Sequence, residues 1–288
     1  MKLKFIYNPK AGRGKILRWL SRIEYRFKKA GAELEVFCLD GKADMQDFIT
    51  KTPVDYDGIV VAGGDGTVNR VINCMIKNDV VTPLGILPTG TANGFSRFMR
   101  GKHHILKAVD VILENRVVMT DLGCVNGTYF INVCSAGVFT DVSQKVDINL
   151  KNKVGSLAYV FAGIKDLKEF SPITLSVNGE IVEALFFLVF NGRGVAVLDK
   201  LADKASIRDG LLDAVVVKKC NFLRRIRVFT KMVFGKHFGD SAVMFKQCDH
   251  IIIKKLNGTC SLPDVDGEPA PEFPLDIICE KRKMPIFM

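Results

Sequence analysis

The chain has 288 residues, 48% hydrophobic and 25% charged, which excludes a disordered chain, a collagen-like repeat and a disulfide miniprotein. At about 150 residues per domain, this length suits two domains. The 41 Lys and Arg against 31 Asp and Glu leave +10, which favours an anionic partner without choosing among nucleotide, nucleic acid and acidic lipid.

Lys2 to Tyr7 reads as a strand, and Lys15 to Ala30 as an amphipathic helix stopped by Gly31. Leu34 to Leu39 is a second strand, and Ala43 to Lys51 a short helix ending before Pro53. The apolar, β-branched run Gly58 to Ala62 is a third strand, followed by a helix from Thr67 to Lys77. Leu84 to Leu87 adds another strand, with helical pattern resuming at Thr91 and from Leu106 to Glu114. Strands that are apolar throughout and separated by helices predict a doubly wound parallel sheet covered on both faces. This half is expected to be α/β.

From about Arg116 short strands take over: Val117 to Cys124, Tyr129 to Val133, Ile173 to Val177, Ile181 to Phe190, Leu212 to Val217 and His250 to Lys255. Asn126-Gly127 and Asn178-Gly179 carry the signal of tight hairpins. Thr259 to Leu262 and Leu275 to Cys279 are later strands, with helical interruptions near Val154 to Glu169 and Asn221 to Phe234. The second half is expected to be all-β, an antiparallel β-sandwich. The expected domains are 1–120 and 121–280, with a tail at 281–288.

The densest apolar run, Ala184 to Phe190, is far short of the ~20 residues that span a bilayer. The N-terminal strand meets Asn8-Pro9 before a signal-peptide core can form, so a cytoplasmic protein is expected. Eight scattered cysteines without Cys-x-x-Cys spacing read as reduced core thiols, not a zinc or disulfide framework.

Three glycine-rich segments each follow a strand of the α/β half, where ligands bind in open sheets. They are Asn8-Pro9-Lys10-Ala11-Gly12-Arg13-Gly14, Gly63-Gly64-Asp65-Gly66-Thr67-Val68-Asn69 and Pro88-Thr89-Gly90-Thr91-Ala92-Asn93. Gly63, Gly64 and Gly66 bring backbone N–H groups close to an anion, and Thr67 opens a helix whose free amides favour phosphate. Asp65 alone would repel phosphate, so its presence implies Mg²⁺ between carboxylate and phosphate oxygens.

In order and spacing these motifs resemble the diacylglycerol kinase catalytic family, the soluble bacterial lipid kinases, with sphingosine kinases as distant relatives. Ile207-Arg208-Asp209-Gly210-Leu211-Leu212-Asp213 and Val265-Asp266-Gly267-Glu268-Pro269 extend the resemblance along the chain. The resemblance implies ATP bound between the two domains, the tail returning to the first domain, and Mg²⁺. It implies Gly63, Gly64, Asp65, Gly66, Thr67, Val68 and Asn69 at the nucleotide phosphates, with Asn8, Gly12, Thr91 and Asn93 in the same site. Asp266 and Glu268 match the family's general-base carboxylates, with Asp65 a third catalytic residue. Ser206, Asp209 and Leu211 match the ligands of a structural Mg²⁺.

The expected activity is transfer of the γ-phosphoryl of ATP to a lipid hydroxyl, diacylglycerol leading as acceptor. The protein would then work peripherally at the inner face of the membrane, bind no nucleic acid, and leave room for a homodimer. In Asn221 to Phe234, Phe222, Leu223, Ile226, Phe229, Met232 and Val233 share one side. Arg224, Arg225, Arg227 and Lys231 offer a basic face to solvent or to anionic headgroups. An NAD kinase shares the Gly-Gly-Asp-Gly-Thr loop, and Gly94 and Arg70 leave open a nucleotide-binding sensor or pseudokinase.

Overall fold

The computed structural model describes residues 1–41, 44–51, 56–90, 93–98, 104–137, 171–192, 200–202, 205–258 and 262–288. Contacts divide the chain into two compact units, Met1–Asp121 with Arg282–Met288, and Leu122–Lys281. The expected helix at Val154 to Glu169 and most of the strand Thr259 to Leu262 lie outside the described residues.

In the first unit, β1 (Lys2–Tyr7), β2 (Glu33–Cys38), β3 (Gly58–Gly63) and β4 (Leu84–Pro88) form a parallel sheet. Their order is β4-β3-β1-β2, and Ile286 near the chain's end pairs in parallel with Leu84. β3 and β4 are buried at every position. That is why their sequences run apolar without alternation. Around the sheet lie α1 (Leu20–Lys29), α2 (Met45–Thr50), α3 (Asp65–Lys77) and α4 (Ile105–Leu113). Ile23 and Phe27 of α1 and Val109 and Ile112 of α4 pack with Leu3, Phe5, Val60 and Leu87 into one core. The chain leaves β1 for β2 on one side, while β3 pairs on the other. The carboxyl ends of β1 and β3 therefore flank a topological switch point, where ligands bind in α/β sheets.

The first helix starts later than its sequence pattern suggests. Gly12, Arg13 and Gly14 are left-handed, at φ 54°, 62° and 72°, within a 3-10 stretch at Ala11–Arg18. A Cβ on Gly12 would lie 2.0 Å from the Thr89 carbonyl oxygen. The amphipathic pattern is real, but the chain must first clear this close approach, so regular helix begins at Leu20.

β5 (Val117–Val125) carries the chain from the first unit into the second and turns into β6 (Thr128–Phe130). The other strands among the described residues are β7 (Val133–Gly137), β8 (Ile173–Val177), β9 (Glu180–Phe190), β10 (Leu212–Lys218), β11 (Val243–Cys248), β12 (His250–Asn257), β13 (Asp264–Val265), β14 (Glu268–Pro269) and β15 (Leu275–Phe287). Within this unit the pairings are antiparallel, with β9 bonded to β7, β8 and β10. Asn126-Gly127 and Asn178-Gly179 turn with positive φ at both residues, as a type I′ hairpin requires. Phe130, Leu175, Phe187, Ala214, Ile253 and Ile277 meet in one core. A second cluster packs Leu185, Phe186, Val215 and Val217 against Val228 and Met232 of α5 (Phe222–Val233).

Two expectations change, and one strand carries no sequence signal. Tyr129 to Val133 is not one strand but β6 and β7, separated at Ile131-Asn132. β11 was invisible because its middle residues, Phe245 to Gln247, are exposed and mixed in polarity. Leu223 does not join the buried side of α5 and is 78% exposed.

Candidate active site

The three glycine-rich loops close on one another. Thr89 and Gly90 both donate their N–H to the Gly63 carbonyl, at 3.2 Å each. A Cβ on Gly90 would lie 2.3 Å from the Cα of Gly64, and one on Gly63 would lie 2.4 Å from the Cβ of Thr67. Glycine is required here for close approach, not for turn geometry. Asn8 joins the first loop to the second: its Nδ2 donates to Thr67 Oγ1 at 3.1 Å, while its Oδ1 accepts from the Lys10 N–H at 2.9 Å.

Asp65 joins the second loop to the third. Its carboxylate accepts the N–H of Gly94 at 3.0 Å and of Phe95 at 3.2 Å. Asn93 spans its own loop, accepting from the Gly90 N–H and donating to the Gly90 carbonyl. Asn8, Asp65 and Asn93 thus brace the loops with the groups that sequence reasoning assigned to ligand. Val68 and Asn69 are buried in α3, so their place is beneath the loop. Thr91 lies outside the described residues.

What remains for a ligand is backbone. α3 starts from Gly64, and the first intrahelical bond is Val68 N–H to Gly64 carbonyl. The amides of Asp65, Gly66 and Thr67 therefore have no intrahelical partner. Sequence reasoning passed over Thr89, whose fully buried Oγ1 has no hydrogen-bond partner among the described residues. Its signal was the position just past β4, inside Pro-Thr-Gly.

In the second unit, Asp266 sits at φ 54° beside Gly267 at φ 93°, in the turn joining β13 and β14. Its carboxylate accepts three backbone N–H bonds, from Ile131 at 2.7 Å, Asn132 at 2.9 Å and Val133 at 3.0 Å. These bonds split β6 from β7. They also occupy both Asp266 carboxylate oxygens with backbone donors, which fixes the side chain in the turn. Glu268 differs: it is exposed on β14 and has no hydrogen-bond or ion-pair partner among the described residues.

Asp264 was not singled out by sequence. It is buried, its Oδ1 accepts from the Gly267 N–H at 2.9 Å, and its Oδ2 has no partner among the described residues. Burial raises its pKa above the ordinary carboxylate value. With the folded-state pKa raised, the unfolded chain ionises first as pH climbs, so this group costs stability above its ordinary pKa. Asp264→Asn is therefore expected to raise Tm at pH 7 and to leave it nearly unchanged at pH 3.5. Thermal melts at both values check this; an equal shift at both would contradict it.

Ser206, Asp209 and Leu211 fall on the turn before β10. Leu211 N–H donates to Asp209 Oδ1 at 3.1 Å, and Arg208 N–H to Ser206 Oγ at 3.3 Å. The turn offers one exposed carboxylate with hydroxyl and carbonyl oxygens, a donor set of the kind Mg²⁺ accepts with water completing it. Among the described residues no three His, Cys, Asp or Glu cluster as a metal site.

The model of the diacylglycerol kinase catalytic domain matches residues 2–125. That of the YegS C-terminal NAD kinase β-sandwich-like domain matches residues 132–288. A diacylglycerol kinase of Bacillus subtilis is 30% identical over 99% of this chain and 95% of its own. One from Staphylococcus carnosus is 30% identical over 99% and 94%. A crystal structure of a diacylglycerol kinase from Bacillus anthracis superposes with a TM-score of 0.79 at 25% identity, covering 99% of this chain and 96% of that one.

Proposed function

The chain belongs to the diacylglycerol kinase family of lipid kinases, and from that premise we propose that it transfers the γ-phosphoryl group of ATP to the hydroxyl of diacylglycerol, giving phosphatidic acid. The observation that carries this reading is the convergence of three loops at the carboxyl ends of β1, β3 and β4, with the amino end of α3 among them.

The free amides of Asp65, Gly66 and Thr67 would hold ATP phosphate oxygens, aided by the helix dipole. The Thr89 hydroxyl would gain the acceptor it lacks. Gly12, Gly63, Gly64 and Gly90 keep the cradle open to a phosphate, and Asn8, Asp65 and Asn93 hold its loops in register. Mg²⁺, when bound, would supply charge neutralisation at the phosphates, and Ser206, Asp209 and Leu211 would hold a structural ion.

Glu268 would take the proton of the acceptor hydroxyl as its oxygen bonds to the γ-phosphorus and the bond to the bridging β–γ oxygen breaks. Asp266 would act through position, fixing the β13–β14 turn that carries Glu268. Among the described residues no helix is long and apolar enough to cross a membrane.

The test is an acceptor panel: ATP, Mg²⁺ and mixed micelles of diacylglycerol, monoacylglycerol, a polyprenol or a sphingoid base. Diacylglycerol is expected to be phosphorylated fastest; a faster alternative acceptor would overturn that assignment. Asp209→Ala is expected to remove most of any Mg²⁺-dependent rise in Tm. A wild type whose Tm ignores Mg²⁺ would contradict the structural ion.

A further inference from the structure

We propose that the cavity beside α5 is a second anion site, which takes the phosphate headgroup of an anionic lipid at the membrane surface. The cavity measures about 580 Å³ and is lined by Leu223, Arg224, Arg227, Lys231, Asp240 and Ser241 among others. Residues 224, 227 and 231 stand three and four apart, so the helix presents its cations on one face.

Asp240 organises that face. Its side chain is only 7% exposed and accepts Lys231 Nζ at 2.6 Å, Arg224 Nη2 at 3.3 Å and the Ala242 N–H at 3.1 Å. Lys231, first among these donors, holds its pKa down at about 2. Above pH 4 Asp240 is thus a fixed charge that positions two cations; Arg224 also bonds the Ser241 hydroxyl. Arg227 lines the same cavity and has no hydrogen-bond or ion-pair partner among the described residues. Three cations against one carboxylate leave +2 around the cavity.

The helix face that carries the cavity argues for a lipid over a free anion. Leu223 is 78% exposed and Phe234 60% exposed. They are eleven residues apart, close to three helical turns, which sets them in line along the face that also carries Arg227. A dissolved phosphate would leave both apolar side chains in water. A headgroup in the cavity brings them against the boundary between headgroups and acyl chains, where apolar residues flanking a basic face are stable. The site uses none of the residues assigned to phosphoryl transfer, and it stands whatever the acceptor lipid is.

The experiment is vesicle binding by the full chain without ATP or Mg²⁺. The vesicles are phosphatidylcholine alone or phosphatidylcholine with phosphatidate. Wild type is expected to prefer the phosphatidate vesicles and to lose that preference as salt rises. Arg227→Glu is expected to weaken binding by roughly tenfold or more, since each basic residue at an anionic surface contributes on the order of 1 kcal/mol. Leu223→Ala should weaken it less. Both positions are exposed, and unchanged Tm would show that folding is intact. Wild-type binding in both variants would overturn the proposal, as would equal binding to both vesicles. Inorganic phosphate that raises the Tm of wild type but not of Arg227→Glu, without any vesicle preference, would assign the cavity to free phosphate and overturn the lipid.

Discussion

Glu268→Gln is expected to lower phosphoryl transfer by about 10² to 10⁴-fold with no change in Tm, whereas Asp266→Ala is expected to destabilise the second unit. The two carboxylates are one residue apart, yet their surroundings differ. The Glu268 side chain is exposed and has no hydrogen-bond or ion-pair partner among the described residues, so an amide in its place removes basicity and little else. Asp266 satisfies three backbone N–H groups of the Ile131 to Val133 corner. Losing charged hydrogen bonds there should cost about 3 kcal/mol or more. Urea unfolding with a transfer assay on both variants checks the pair. Transfer preserved in Glu268→Gln, or wild-type stability in Asp266→Ala, would reverse the assignment.

Gly90→Ala is expected to abolish nucleotide binding. The added methyl would sit 2.3 Å from the Cα of Gly64, 2.9 Å from Asn93 Oδ1 and 3.0 Å from the Gly64 N. Two of those contacts are backbone, which cannot swing aside as a side chain can, so the second and third loops must part. Gly12→Ala should act alike, with the added strain of φ 54° and a methyl 2.0 Å from the Thr89 oxygen. Gly31→Ala is the control: its φ is also positive, at 74°, but nothing lies within 4 Å. Calorimetric ATP titration should show binding by Gly31→Ala and none by Gly90→Ala; equal affinities would mean the loops do not form the cradle.

The parallel sheet could be read from sequence because β3 and β4 are buried on both faces, which leaves only apolar and small residues available. The hairpins could be read because Asn-Gly is one of the few pairs that readily take two positive φ angles. β11 could not, since an exposed strand has no reason to alternate. The left-handed turn that starts at Gly12 could not either: Gly12 answers to Thr89, 77 positions away. For the candidate site, glycine spacing marks where three loops lie, because only close backbone approach demands glycine after every strand. It does not say which polar side chains face outward. Asn8, Asp65, Asn93 and Asp266 look like ligand groups in the sequence, but each is engaged within its own unit by bonds to residues that periodicity cannot pair with it.

The most direct measurement places γ-labelled ATP, Mg²⁺, diacylglycerol micelles and NAD together with the enzyme and follows where the label goes. The two acceptors compete for one phosphoryl donor, so a shared loop sequence cannot decide the outcome. Label recovered in phosphatidic acid, with NAD unmodified, is the predicted result; label in NADP with none in lipid would contradict it.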